Sequence, residues 1–285
     1  VIILHMVYLR DWKNISRTKS SKGNKMADNR PLGIYDSGIG GLSVVSEVIR
    51  QLPNESFIYY GDTKNLPYGD KKPAQIIEFN KGIFAYLLDQ NCKMIVSACN
   101  SSSAIALPTL MFLYPALSVV SLIEPGAYSA VKATKNKRIG LIATTATVKS
   151  NAYANAVKKI NNAIEVQQVA CPEFVPIIES GKVNEPETYE IVKKYISQFQ
   201  DIDTLIYGCT HYPALEPILK QIFPDNKVSF INPAIATVQK AVQEMQELNL
   251  AADKDNSVRY EFVWSGQVPG QFNAKSYQPA EKVSS

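Results

Sequence analysis

Two cysteines, Cys99 and Cys209, stand in matching surroundings about a hundred residues apart. Each ends a short apolar segment typical of a buried β-strand, and each is followed at once by small hydroxyl or amide residues. The carboxyl ends of parallel strands face the crevice where open α/β sheets bind ligands, so thiols on two equivalent strands can meet across one ligand. That arrangement suits removal of a proton from one face of a molecule and delivery of a proton to the other face.

A single cysteine at the end of an apolar segment is more often a small buried hydrophobic residue than a catalytic one. The matched flanks of the two cysteines favour the catalytic interpretation for the pair. A free thiol has a pKa of ~8.5, so each needs an electrostatic partner to act as a base near neutral pH. We expect a helix to begin just after each cysteine and to stabilise the thiolate through its N-terminus.

A glycine-rich turn follows the first predicted strand, at residues 36–41 (DSGIGG). Glycines between a strand and a helix form an anion-binding turn, and a small carboxylate fits such a site. A dinucleotide site is a weaker interpretation, because Ser43 stands where the third glycine of the GxGxxG pattern belongs. Asp36 is a candidate to hold an ammonium group or to orient a nearby thiol. A plain turn with Asp36 as a helix cap is the alternative.

A second turn, at residues 66–69 (LPYG), follows the next predicted strand and lies at the same edge of the sheet. Its backbone N–H groups and the Tyr68 hydroxyl are candidates to bind a carboxylate, and an ordinary proline and glycine turn is the alternative. Three short polar residues follow the cysteines and are expected either to cap helices or to bind ligand; they are Asn100, Ser101 and Thr210.

His211 lies two residues after Cys209, where an imidazole can favour the thiolate or relay its proton. A structural histidine is the more common interpretation for an isolated position, but the neighbouring thiol favours function. Glu179 is a candidate to assist Cys209, and a solvated helix charge is its default interpretation.

From residue 31 onward, predicted strands and helices alternate, which is typical of parallel sheets with crossover helices. Three pairs of landmarks recur at nearly one spacing, which favours a duplicated α/β unit over chance repetition of a common motif. The pairs are Gly33 with Gly140, Asp62 with Cys171, and Cys99 with Cys209.

Composition excludes several classes of protein. The 285 residues carry a net charge of +4, but residues 1–30 hold seven basic and two acidic residues, so the remainder is at −1 and has no nucleic-acid footprint. Four cysteines do not make a disulfide framework, and no CxxC or paired Cys/His spacing indicates structural zinc. No apolar stretch reaches the ~18 residues of a membrane-spanning helix, and no clear signal peptide precedes the body. These features favour the cytoplasm.

Five segments together resemble the glutamate racemase branch of the aspartate/glutamate racemase family. They occur in the family's order and cover roughly residues 31–250; they are DSGIGGLSV at 36–44, PYG at 67–69, CNS at 99–101, ACPEFVP at 170–176 and GCTHYP at 208–213. The last of these is the most specific.

The resemblance implies racemisation of glutamate by two cysteine bases, without pyridoxal phosphate or metal, to supply D-glutamate for peptidoglycan, cell-wall biogenesis and cell shape. Cys99 would take the α-proton from D-glutamate and Cys209 from L-glutamate. Asp36 would support Cys99, while His211 and Glu179 would support Cys209. The implied substrate-binding residues are Asp36, Ser37, Pro67, Tyr68, Gly69, Asn100, Ser101, Thr210 and His211.

The resemblance also implies an α/β fold of two pseudo-twofold-related domains, each a mainly parallel sheet with flanking helices, with the active site in the cleft between them. The predicted divisions are a disordered basic tail at 1–30, a first domain at 31–123 plus 233–270, a second domain at 124–232 and a polar tail at 271–285 with little packing. Met26 precedes the ordered pattern, and we expect the working protein to begin near it. The family forms homodimers, which the polar tail puts in question.

Two departures from the family lie next to Cys99. Ser101 replaces the usual threonine and keeps its hydroxyl, and Ser102 and Ser103 add polarity. The alternatives to a glutamate racemase are a racemase of aspartate or another acidic amino acid, and a non-catalytic binding protein on the same scaffold. A thiol-redox enzyme is disfavoured by the lack of CxxC.

Overall fold

Nine strands form two all-parallel sheets in the computed structural model, which describes residues 27–223 and 227–277. The expectations for the tail before residue 27 and for the last residues, 278–285, lie outside the described part. The first sheet has the order β4-β3-β1-β2-β9 and the second β6-β5-β7-β8. The strands are β1 (Leu32–Asp36), β2 (Phe57–Gly61), β3 (Met94–Ser97), β4 (Ser118–Val120), β5 (Arg138–Ala143), β6 (Glu165–Ala170), β7 (Thr204–Gly208), β8 (Ser229–Ile231) and β9 (Tyr260–Trp264).

The two sheets repeat one arrangement of four strands. In each, the first strand lies between the second and the third, and the fourth lies outside the third. The pairing registers repeat as well, and each strand of the second sheet follows its equivalent in the first at nearly the same separation along the chain. The equivalent residues are Leu32 and Ile139, Phe57 and Val166, Met94 and Thr204, and Ser118 and Ser229. The predicted duplication therefore corresponds to residue-level equivalence.

Helices cover both faces of each sheet, as parallel strands require. The α-helices are α1 (Leu42–Gln51), α2 (Pro73–Asp89), α3 (Asn100–Ile105), α4 (Leu107–Leu113), α5 (Ile123–Ala133), α6 (Thr145–Ser150), α7 (Ala152–Ile160), α8 (Phe174–Glu179), α9 (Pro186–Ile196), α10 (Glu216–Ile222) and α11 (Pro233–Leu248). Separate apolar clusters lie on the two faces of each sheet, so every strand is held in position from both sides.

The chain returns to the first sheet after the second is complete. Helix α11 packs against α1 and α5, and its buried residues Val238 and Ala241 join the core of the first sheet. Strand β9 then pairs in parallel with β2 and becomes the edge of that sheet.

The beginning of the predicted polar C-terminal tail is packed, contrary to our expectation. The Phe272 ring lies 4.9 Å from that of Phe262 and 5.0 Å from that of Trp264, and Tyr277 also packs on Phe262. The packing of these aromatic residues was not predicted because the segment around them is polar and lacks any regular apolar spacing.

The α-helix that was expected to begin directly after Cys209 begins several residues later in the structure. A 3₁₀ turn at Tyr212–Leu215 comes first, and the α-helix starts only at Glu216. Pro213 and Pro217 lack the N–H groups of a regular helix, which accounts for the tighter first turn. No α-helical N-terminus therefore adjoins Cys209.

Within the described ranges, no helix is long and apolar enough to cross a membrane.

Candidate active site

The two cysteines line one cavity from different sheets. Cys99 follows β3 and directly precedes α3, while Cys209 follows β7, the equivalent strand of the second sheet. Both are nearly buried, at 4% and 7% exposure, and neither is in a disulfide. The cavity encloses about 470 Å³ when its opening to solvent is included.

Every site residue predicted from the sequence lines this cavity except Glu179, which lies behind His211. The lining residues that were predicted are Asp36, Ser37, Pro67, Tyr68, Gly69, Cys99, Asn100, Ser101, Cys209, Thr210 and His211. The two turns and both cysteine segments thus meet at one place, because all four follow the carboxyl ends of strands.

Cys99 lies in surroundings that favour its neutral form. Burial raises the pKa of its thiol to about 12, and the nearby carboxylate of Asp36 acts in the same direction. Its sulfur is 3.7 Å from the Ser37 hydroxyl. Cys99 therefore carries its proton at neutral pH.

Asp36 is held by the glycine-rich turn that it begins. Its carboxylate accepts hydrogen bonds from the backbone N–H groups of Ser37, at 2.7 Å, and Gly41. The hydroxyl of Thr210 also donates to it, at 3.1 Å, and so joins the two halves of the site. Burial raises the pKa of Asp36, while the His211 charge and these hydrogen bonds oppose that shift.

Cys209 has a cationic neighbour. The Nδ1 atom of His211 lies 3.8 Å from its sulfur, and the Nε2 atom lies 2.6 Å from the Glu179 carboxylate. Burial lowers the pKa of His211, but the hydrogen bonds with Cys209 and Glu179 outweigh burial and raise it to about 10. The imidazole is therefore charged at neutral pH and places a cation beside the Cys209 sulfur.

Contacts between the two halves close the cavity on its other sides. The hydroxyls of Ser101 and Thr144 are 2.9 Å apart, and Tyr153 donates to Asn100 Oδ1 at 2.7 Å. The amide Nδ2 of Asn100 is buried and has no partner. Since buried donors are normally paired, this amide is available to a ligand in the cavity.

The Tyr68 hydroxyl does not point to a ligand, contrary to our expectation. It donates to the buried carboxylate of Asp62, which also accepts from Asn65 at 2.9 Å and from Ser265 at 2.6 Å. Tyr68 therefore contributes its ring and backbone to the cavity wall, and the network around Asp62 fixes the turn.

Several cavity residues were not among the predicted site residues, namely Leu66, Asp70, Thr144, Thr145, Cys171, Pro172 and Val175. A signal existed for Thr144, which follows Ser37 at the same separation as Gly140 follows Gly33 and occupies the equivalent strand end. That separation was used to find the duplication, but it was not carried from one site segment to the other. No pattern in the sequence indicated Tyr153 as a partner of Asn100.

In the part of the chain that the structure describes, no three His, Cys, Asp or Glu side chains come together as ligands for a metal ion.

Comparison with known proteins agrees with this geometry. A family model described as Asp/Glu/Hydantoin racemase matches residues 39–241. The chain belongs to this racemase family. The resemblance inferred from the five segments is thereby confirmed, and so is the two-sheet α/β fold, which solved racemases share.

Among relatives, the chain is 47% identical over 223 residues to a glutamate racemase of Trichormus variabilis, covering 78% of this chain and 75% of that protein. Two solved racemases each superpose on this chain with a TM-score of 0.80. A glutamate racemase of Francisella tularensis in complex with D-glutamate is 35% identical, covering 88% of this chain and 94% of that one. A glutamate racemase isoform of Bacillus anthracis is 34% identical, covering 84% and 90%.

Proposed function

We propose that this protein interconverts L- and D-glutamate with Cys99 and Cys209 as its two bases. The observation that carries the proposal is that one thiol from each of two equivalent strand ends lines a single cavity. The identity of the substrate is inferred from the glutamate racemases to which the chain is similar.

The charge states around the cavity suit a start from L-glutamate. The thiolate of Cys209, beside the His211 cation, takes the α-proton, and the C–H electron pair stays on the α-carbon as a carbanion. The neutral thiol of Cys99 then donates its proton to the other face of that carbon and becomes a thiolate. The product is D-glutamate, and the reverse reaction begins with Cys99 as the base and Cys209 as the acid.

An α-hydrogen is a very weak acid, so the cavity must stabilise the developing negative charge. Buried, fixed donors act strongly in such a site because water does not compete with them. We assign the substrate to Ser37, the turn formed by Pro67, Tyr68 and Gly69, the amide of Asn100, and the hydroxyls of Ser101 and Thr210, with Asp36 near the ammonium group. Glu179 acts through His211.

We also extend to this chain the wider role of such an enzyme. It would supply D-glutamate for peptidoglycan, act in the cytoplasm as a homodimer, and need neither metal nor organic cofactor. Racemisation of aspartate is the alternative activity; a solved aspartate racemase and a solved aspartate racemase homologue are each 16% identical to this chain and share its fold alone.

The test is to follow the circular dichroism of L- and D-glutamate with purified protein and no added cofactor. We expect interconversion of glutamate in both directions, ending in a racemic mixture. Faster racemisation of aspartate than of glutamate would favour the sibling activity. An absence of racemisation for every acidic amino acid would favour a non-catalytic binding protein.

A further inference from the structure

The hydroxyl of Ser102 is buried without a partner. Its residue has 0% exposure, and no acceptor lies in hydrogen-bonding geometry around its oxygen. The hydroxyl of Tyr35 is in the same condition. Buried polar groups are paired in the large majority of cases, so two unpaired hydroxyls in one core require an explanation.

Both hydroxyls lie beside Cys99. Ser102 is the third residue of α3 and Cys99 immediately precedes that helix, a spacing that brings the third residue back towards the preceding side chain. The hydroxyl and the N–H of Ser102 are close enough to lower the pKa of the Cys99 thiol, against the larger effect of burial. The Tyr35 hydroxyl is close enough to the Ser102 hydroxyl and to the Cys99 sulfur for both of them to affect its pKa.

The ionisable groups that face Cys99 do not favour a negative sulfur. Asp36 approaches from β1, Tyr35 from the same strand, Tyr59 from β2, and Tyr68 from the following turn. None of these groups is a cation, and burial raises the pKa of Asp36 and of the three tyrosines. Cys209, in contrast, has the His211 cation. A thiolate at Cys99 therefore depends on neutral donors.

A neutral thiol is a weak acceptor, whereas a thiolate is a strong one. We propose that the Ser102 hydroxyl donates a hydrogen bond to the Cys99 sulfur when that sulfur is ionised, and so stabilises the thiolate formed in each turnover. The hydroxyl is unpaired in the resting protein because its acceptor exists only after Cys99 has given up its proton. Ser102 is thus a positioning residue that acts through Cys99. The catalytic part of this inference rests on the proposed function.

The test compares Ser102→Ala with Ser103→Ala, a matched change one residue further along α3. The Ser103 hydroxyl already donates to Ser97, at 3.1 Å. The readout is the rate of carboxamidomethylation of Cys99 by iodoacetamide, measured by mass spectrometry of its peptide across the pH range. This measurement needs no racemase activity.

We expect Ser102→Ala to slow modification of Cys99 about tenfold at a fixed pH, because a hydrogen bond to a charged group changes ionisation by about one pH unit. Ser103→Ala should leave the rate within twofold of the parent. Thermal unfolding should show Ser102→Ala to be no less stable than the parent, since the change removes an unpaired buried hydroxyl. A merely structural role for Ser102 predicts the opposite change in stability.

Racemisation separates this inference from the proposed function. In Ser102→Ala, kcat/KM should fall about tenfold for both enantiomers equally, since their equilibrium constant is one. If the parent protein does not racemise glutamate but Cys99 modification still slows, the proposed function fails and the hydrogen bond stands. Equal modification rates in the parent and Ser102→Ala would overturn the inference.

Discussion

At the scale of single residues, the two thiols have neighbours of opposite charge. His211 lies 3.8 Å from the Cys209 sulfur, whereas the Asp36 carboxylate adds to the burial that raises the pKa of Cys99 to about 12. One sulfur is therefore prepared to accept a proton and the other to donate one. A pair of equivalent thiols in equal surroundings would lack this division of roles.

The charge on His211 depends on Glu179, so the pH profile of activity should change when that carboxylate is removed. His211 must be protonated to favour the Cys209 thiolate, and activity should fall as the pH rises through its pKa of about 10. Glu179→Gln removes a partner that raises this pKa. We expect the alkaline limb of kcat/KM to move about 1 to 2 pH units lower. Glu173→Gln is the control, because Glu173 pairs with Tyr195 outside the cavity. An unmoved alkaline limb in Glu179→Gln would contradict this role.

Residue types, their spacing and the family resemblance together predicted most of the cavity wall. The predicted residues follow strand ends, and the fold brings all strand ends of a parallel sheet to one edge. The direction of the Tyr68 hydroxyl was not predictable, because Asp62 and Ser265 form its network from separate parts of the chain. The same holds for Tyr153, which contacts Asn100 only through the packing of α7.

At the scale of elements, the glycine-rich turn after β1 lies against the Cys209 segment. A Cβ added to Gly40 would stand 2.5 Å from the Thr210 hydroxyl and would also collide with His211. The backbone of the first half therefore approaches the second half where only glycine fits. This close approach explains the glycine on physical grounds other than phosphate binding.

Gly40→Ala should consequently displace Thr210 and His211 and reduce kcat/KM by at least about tenfold, as expected for misplaced catalytic groups. Gly82→Ala is the matched control, because Gly82 lies inside α2 with nothing within 4 Å of an added Cβ. That control should keep its activity and gain up to about 1 kcal/mol of stability from helix propensity. Unchanged kinetics in Gly40→Ala would contradict this prediction, because the turn would then accommodate the added Cβ without displacing Thr210 and His211.

The alternation of strands and helices along the chain was predicted from the sequence, and the structure confirms it. Helices α2 and α11 have clear apolar periodicity, with buried apolar residues recurring along one face of each. Helix α3 begins directly after Cys99, as expected, although its sequence NSSSAI buries four polar residues and has no apolar stripe. One of these polar residues, Ser103, donates to the Ser97 hydroxyl, a pairing that sequence patterns do not record.

At the scale of the whole molecule, one buried ion pair connects distant segments of the first sheet's half. Lys93, before β3, lies 2.5 Å from Glu55, before β2, and their side chains are 0% and 3% exposed. Lys93 also donates to the Asp28 carbonyl, and Glu55 accepts from the Ala252 N–H at 2.7 Å. The pair thus joins the described beginning of the chain to the segment that leads into β9.

Removal of one partner should be costly because it leaves a buried charge uncompensated. We expect Lys93→Ala to reduce the free energy of unfolding by about 3 to 5 kcal/mol, measured by urea denaturation. Lys81→Ala, which breaks the exposed pair with Glu78, should cost less than about 1 kcal/mol. Similar losses in the two variants would mean that Lys93→Ala does not leave Glu55 as an uncompensated buried charge.

The duplication is the feature of the whole molecule that the sequence revealed most directly. The separations between equivalent strands match those between the landmarks found in the sequence, because loops at equivalent strand ends keep similar lengths. The return of β9 to the first sheet is a long-range pairing without a local signal, and it was expected only from the family resemblance. The domain limits at 31–123 plus 233–270 and 124–232 stay a prediction.

The most direct test of a two-thiol racemase is α-proton exchange in heavy water with Cys99→Ser and Cys209→Ser. Both variants should lose racemisation. Each should retain deuterium incorporation into one enantiomer without inversion, L-glutamate for Cys99→Ser and D-glutamate for Cys209→Ser. Full racemisation by either variant, with deuterium in both enantiomers, would contradict the account.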